Sequence, residues 1–218
     1  DVYKRQDYYS ELIIEDGIES GSVVAVNSDY SFEAIAFFFA LADNKNIIIP
    51  IIATASEEIA NRIQSAEADY VFTYDNEQFV SNKLHSKNEK HDYIEKLIKE
   101  KRSGLVLFSS GSTGKPKAML HDLDTLMQGY RGRKLKEVNT LIFLTFDHIG
   151  GIDTLLRLLS IGGTITIPAS RQPNEISRLI ERHQINVLPS SPTFLNLLLL
   201  SDLHQKYDLS SLKIIAFG

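Results

Sequence analysis

LVLFSSGSTGKPKAML, residues 105–120, is the stretch that decides how this chain is read. Residues 105–108 are continuously apolar, as in a strand covered on both faces. They run directly into Ser109, Ser110, Gly111, Ser112, Thr113, Gly114, Lys115, Pro116 and Lys117. Nearly every residue of that loop is small, hydroxylated or cationic. Glycine lets a backbone fold around a ligand and present successive N–H groups. Ser and Thr hydroxyls add donors, and the lysines add compact positive charge. Such a loop is suited to gripping phosphate. A flexible Ser/Gly surface linker has a similar composition. A linker, however, has no need of this ordered string hard against a buried strand.

The loop departs from the Walker A pattern, which needs Gly-x-x-x-x-Gly-Lys followed by Ser or Thr. Aligned on Gly114 and Lys115, the first glycine position is Ser109 and the hydroxyl position is Pro116. Pro116 also opposes a helix starting right after the lysine. An ordinary P-loop kinase or ATPase is therefore disfavoured. The dinucleotide Gly-x-Gly-x-x-Gly is not present either. The chain is expected to turn back into a second strand over residues 117–120.

Outward from the loop, the periodicity alternates along the whole chain. Residues 23–26, 47–52, 70–74, 105–108, 141–144, 164–167 and 212–217 read as strands. Residues 32–42, with Ser31 as N-cap, read as a helix, as do 56–68, 93–101, 155–160, 174–183 and 193–200. Residues 81–92 are polar and charged and read as an exposed loop. Continuous apolar strands spaced by helices imply an α/β fold of layered, largely parallel sheets with helices on both faces. Two portions are expected, residues 7–101 and residues 102–218, the second holding the loop. Residues 1–6 read as a non-native leader, and the ending LKIIAFG reads as a cut within a longer protein.

Composition sets outer limits. The 218 residues are 43% hydrophobic and 23% charged, which excludes a collagen-like or wholly disordered chain. A net charge of −5 gives no global field for nucleic acid. There is no cysteine, so disulfides and thiolate chemistry are excluded. The six histidines have no ligand spacing, and no protein-built metal site is expected. The apolar stretches 35–42 and 47–55 fall short of the ~20 residues a membrane span needs. No signal peptide is visible, and a cytoplasmic protein is expected.

SSGSTGKPK resembles the phosphate-binding signature of the adenylate-forming enzymes, which include acyl-CoA synthetases, peptide-synthetase adenylation domains and luciferases of the firefly type. That signature is a Ser/Thr-rich stretch, Gly-[ST]-[ST]-Gly, then x-Pro-Lys, and each position is matched here. Ala118 stands where the family often has Gly, and His121 stands where it often has His. A second resemblance lies at residues 145–151, TFDHIGG, similar to the motif that lines the acyl pocket. Acyl-CoA synthetases typically read Phe-His-x-Gly-Gly there, and peptide-synthetase domains read Phe-Asp. Gly162, Gly163 and Thr164, and the Pro192-Thr193 segment, also look like the family.

The resemblance implies a part of the large N-terminal domain of a ligase that joins a carboxylic acid to ATP. An acyl-adenylate forms, and coenzyme A or a carrier protein takes the acyl group. A non-catalytic nucleotide-binding module is the alternative. On this basis Ser109, Ser110, Gly111, Ser112, Thr113, Gly114, Lys115 and Lys117 are the expected ATP contacts. Lys117 is preferred over Lys115, which has the reading of a solvated residue. Asp147, His148, Gly150 and Gly151 are the expected acid contacts. Asp147 has two further readings, a partner for a substrate amino group and a cap for the following helix. The catalytic lid lysine and the Mg²⁺ ligand are expected beyond residue 218.

Overall fold

A strand of β-branched residues, Val23–Asn27 (β1), buried through its first four positions, starts the central sheet of a computed structural model that describes residues 2–75, 78–84, 90–109 and 117–217. The chain divides into two compact units: residues 1–129 with 146–148, and residues 130–145 with 149–218. Residues 102–129, expected with the second portion, cluster with the first unit.

The first unit opens with helix Val2–Glu15 (α1), absent from the reading of the sequence. After β1 come Phe32–Asp43 (α2), Ile47–Ile51 (β2), Ser56–Ser65 (α3), Tyr70–Asp75 (β3) and Gln78–Lys83 (β4). Asp92–Lys99 (α4), Gly104–Ser109 (β5), Lys117–Asp122 (β6) and Leu123–Gln128 (α5) complete it. Ser31 caps α2 as expected, its hydroxyl accepting from the Ala34 N–H at 2.9 Å.

The strands form one six-stranded sheet in the order β4-β3-β1-β2-β5-β6. The inner four run parallel, with Ala25 beside Ile49 and Val71, and Ile48 beside Leu105. Both edges are antiparallel hairpins, β3–β4 and β5–β6. Helices cover both faces. On one, Ile59 and Ile63 of α3 and Ile94 and Leu97 of α4 pack on Val23, Ala25, Ile47, Ile49 and Val106. On the other, Phe37 of α2 stacks on Phe72 of β3 at 4.8 Å, and Tyr9 of α1 stacks on Phe37 at 5.3 Å.

The loop expected over residues 81–92 is corrected in its first part. Residues 78–83 pair as β4 with β3, Thr73 opposite Val80 and Tyr74 opposite Phe79. The strand was hidden because its residues alternate exposed with half-buried, so polar side chains dominate it.

The second unit builds a four-stranded parallel sheet, order β10-β9-β7-β8. Its strands are Asn139–Leu141 (β7), Thr164–Thr166 (β8), Val187–Pro189 (β9) and Ile214–Ala216 (β10). Its helices are Ile149–Ile161 (α6), Pro173–His183 (α7) and Pro192–Leu200 (α8). The core gathers Leu141, Ile176, Ile180, Ile185, Leu188 and Phe194. The strand expected over residues 141–144 is displaced toward the N-terminus and ends at Leu141. β9 escaped the sequence because three residues ending in Pro189 carry too little period to read. No helix among the described residues is long and apolar enough to cross a membrane.

Candidate functional site

The parallel strands β1, β2 and β5 end side by side, and in open α/β sheets ligands bind outside such carboxyl ends. β5 ends at Ser109, which is half-buried and pairs with Lys117, the exposed first residue of β6. The phosphate-type loop thus connects two directly opposed residues of a hairpin. Ser110, Gly111, Ser112, Thr113, Gly114 and Lys115 lie outside the described residues.

β5 is tightly seated. At Gly104 an added Cβ would lie 2.7 Å from Ile47 Cδ1 and 3.1 Å from Leu97 Cδ1, so a side chain there would oblige the tips of those two residues to shift. Asp124 at the start of α5 accepts from the Ser103 N–H at 3.1 Å, the Ser103 hydroxyl at 2.9 Å and Lys45 Nζ at 3.1 Å. Burial works to raise the Asp124 pKa, but the Ser103 donors and the Lys45 ammonium together hold it below the ordinary value. Asp122, at the end of β6, behaves alike. Burial opposes its charge, and the Thr125 N–H and hydroxyl with the Arg102 guanidinium outweigh it. Both ends of the β5–β6 hairpin are therefore clamped away from the loop.

The second motif is anchored in the first unit by Phe146. Its ring is 1% exposed and lies 4.5 Å from the Tyr30 ring and 5.4 Å from the Phe38 ring. That contact holds Asp147 next to α3, where its Oδ2 accepts from Arg62 Nη1 at 2.9 Å. Both side chains are 15% exposed. The same guanidinium donates to Glu58 at 2.7 Å and lies over the Phe108 ring, 5.3 Å from its centroid. Phe108 immediately precedes Ser109. One arginine therefore touches both the strand that feeds the loop and the carboxylate of the second motif.

His148 is exposed and belongs to the first unit with Asp147. Gly150 and Gly151 fall in the second unit, in the first turn of α6. Gly151 is buried there, and the Gly150 carbonyl accepts from the Thr154 hydroxyl at 2.7 Å. The structure thus places Ser109, Lys117 and Asp147 in one unit, with Arg62 touching both Phe108 of β5 and Asp147. Arg62 was not among the residues expected. Its one sequence signal is the i, i+4 pair with Glu58, which reads as an ordinary solvated helix pair.

Known proteins resemble this chain in sequence and in fold. A 4-coumarate–CoA ligase-like protein of Arabidopsis thaliana is 26% identical over 178 residues, covering 78% of this chain and 32% of that protein. An acetyl-coenzyme A synthetase of Pasteurella multocida is 36% identical over 124 residues, covering 50% of this chain and 19% of that enzyme. The chain thus spans a third or less of the length of these relatives. In fold, the inhibitor-bound N-terminal domain of FACL13 from Mycobacterium tuberculosis superposes with a TM-score of 0.78 at 14% identity, over 100% of this chain and 61% of that one. The family model described as AMP-binding enzyme matches residues 1–218, and the chain belongs to that family.

Proposed function

We propose that this chain is part of an ATP-dependent ligase that activates a carboxylic acid as its acyl-adenylate and passes the acyl group to coenzyme A. The observation that carries this is the β5–β6 hairpin, whose opposed residues Ser109 and Lys117 lie at the carboxyl edge of a parallel sheet and bracket the Ser/Gly/Lys stretch of the sequence. The CoA-ligase names of its sequence relatives support the acceptor.

The chemistry is governed by charge. A carboxylate oxygen must bond to the α-phosphorus of ATP while the bond to the β-phosphate oxygen breaks, and pyrophosphate leaves with the electron pair. In the second half, a thiolate bonds to the acyl carbon and AMP departs. Donors aimed at the leaving phosphates stabilise the first transition state because they need no reorganisation as charge develops. The loop from Ser109 to Lys117 would fill that role, with Lys117 as a cation at the start of β6. Asp147 and His148 would border the acid, with Gly150 and Gly151 after them in the motif. Mg²⁺ is expected to neutralise phosphate charge in such a reaction. Among the described residues no group of three or more His, Asp or Glu could hold a metal ion, so no step is assigned through it.

Acid-dependent ATP–pyrophosphate exchange tests this reading, run with the intact protein that carries this chain against a panel of fatty, aromatic and amino acids. Exchange that requires one class of acid is expected. No exchange with any acid would overturn the proposal. The 218-residue chain alone is expected to give none.

A further inference from the structure

We infer that Arg62 is a positioning residue that sets the substrate class: by holding the Asp147 carboxylate, it makes the acid site select carboxylic acids without a neighbouring ammonium group over amino acids. The inference rests on the proposed function, in which Asp147 and His148 border the acid.

A lone carboxylate in a sheltered pocket attracts an ammonium group. Here the carboxylate already faces a guanidinium at 2.9 Å, with both side chains 15% exposed. The pair offers little net charge to a ligand, and separating it costs the desolvation of two sheltered ions. Glu58 also touches Arg62, but its side chain is 45% exposed, so water screens it and Asp147 remains the principal partner.

Arg62 is also fixed in place. It lies in the last turn of α3, where a cation is favoured by the helix dipole. Ile59 and Ile63 of that helix pack against the sheet core, and the Phe108 ring underlies the guanidinium. An ammonium arriving with a substrate would have to displace a restrained arginine. A further feature points the same way. Arg62 Nε is shielded from solvent and has no acceptor among the described residues. That unpaired N–H favours an acceptor over a further donor at this point.

The test uses the intact protein in ATP–pyrophosphate exchange with matched acids, such as 3-phenylpropanoic acid against phenylalanine and butanoic acid against 2-aminobutanoic acid. The wild type is expected to prefer the acid without the amino group. Arg62→Gln is expected to lower that preference, as a ratio of kcat/KM, by roughly tenfold or more, with the change carried in KM. Arg62→Lys keeps the cation and is expected to keep most of the preference. The double variant Arg62→Gln/Asp147→Asn removes both charges and is expected to regain it. An unchanged ratio in Arg62→Gln, or a wild type that prefers amino acids, overturns the inference while leaving acid activation intact. No acid-dependent exchange in the wild type overturns the proposed function itself. If Arg62→Gln does not fold, Asp147→Asn decides. It is expected to keep the wild-type preference and to lower KM for dicarboxylic acids, and selective loss of amino-acid exchange instead would overturn the inference.

Discussion

Replacing Phe146 by alanine tests whether residues 146–148 are held in the first unit by packing. The ring is 1% exposed between Tyr30 and Phe38. A buried phenylalanine exceeds alanine by roughly 100 Å² of apolar surface, worth about 2.5 kcal/mol at 25 cal/mol per Å². The cavity and the lost ring contacts add about 1 kcal/mol, because a loop segment collapses onto the gap more readily than a core helix. A loss of about 3.5 kcal/mol is therefore expected for the first unit. Phe146→Leu, which keeps most of the volume, should lose about 1.5 kcal/mol or less. Urea unfolding followed by far-ultraviolet circular dichroism and tyrosine fluorescence measures both, since the chain has nine tyrosines and no tryptophan. A loss below about 1 kcal/mol for Phe146→Ala would refute the packing account. In the intact protein the same substitution is expected to raise KM for the acid more than it lowers kcat, because it displaces Asp147 from Arg62.

Asp124 has a folded pKa below its ordinary value of 3.8, so its stabilising contribution is complete above that value and is lost as pH falls through the folded one. Thermal unfolding between pH 5 and about 2 should thus decline more steeply for the wild type than for Asp124→Asn, and equal slopes would contradict the assignment. Asn46, fully buried, donates to the carbonyls of Glu19 at 2.9 Å and Ser22 at 3.2 Å and accepts from Asn44 at 2.9 Å. Asn46→Leu orphans those groups and is expected to cost about 3 kcal/mol in urea unfolding; a cost under about 1 kcal/mol would mean water replaces them freely. Lys117→Ala, at an exposed position, should leave the melting temperature unchanged and slow pyrophosphate exchange by roughly tenfold to a hundredfold in the intact protein. Wild-type exchange would remove Lys117 from the phosphate contacts.

The parallel core was readable because strands covered on both faces, such as Ile47–Ile51, have no polar positions to blur them. The edge strand β4 was unreadable for the opposite reason, since its exposed positions Gln78, Asn82 and Lys83 are polar and interrupt its apolar residues. α1 escaped because residues 1–6 read as a leader, though Tyr9 and Ile13 farther along are buried. Of the site, the two motifs were legible as strings, whereas the Arg62–Asp147 contact spans 85 positions and leaves no mark on local pattern. The sequence left Asp147 with three readings; in space it accepts from Arg62.

The pairing of Ser109 with Lys117 has a consequence for how such a protein can change over generations. Because the hairpin is clamped at its far end by Asp122 and Asp124, its two strands have anchors that lie away from the connection between those two residues. Lengthening a connection whose ends are already fixed costs only slowly rising closure entropy, about 0.6 kcal/mol per doubling. Selection could therefore rewrite the chemistry of that segment, or erase it, while the sheet beneath stays whole. A descendant with a dead loop would still fold, so an intact fold in a homologue is no guarantee that it retains catalysis.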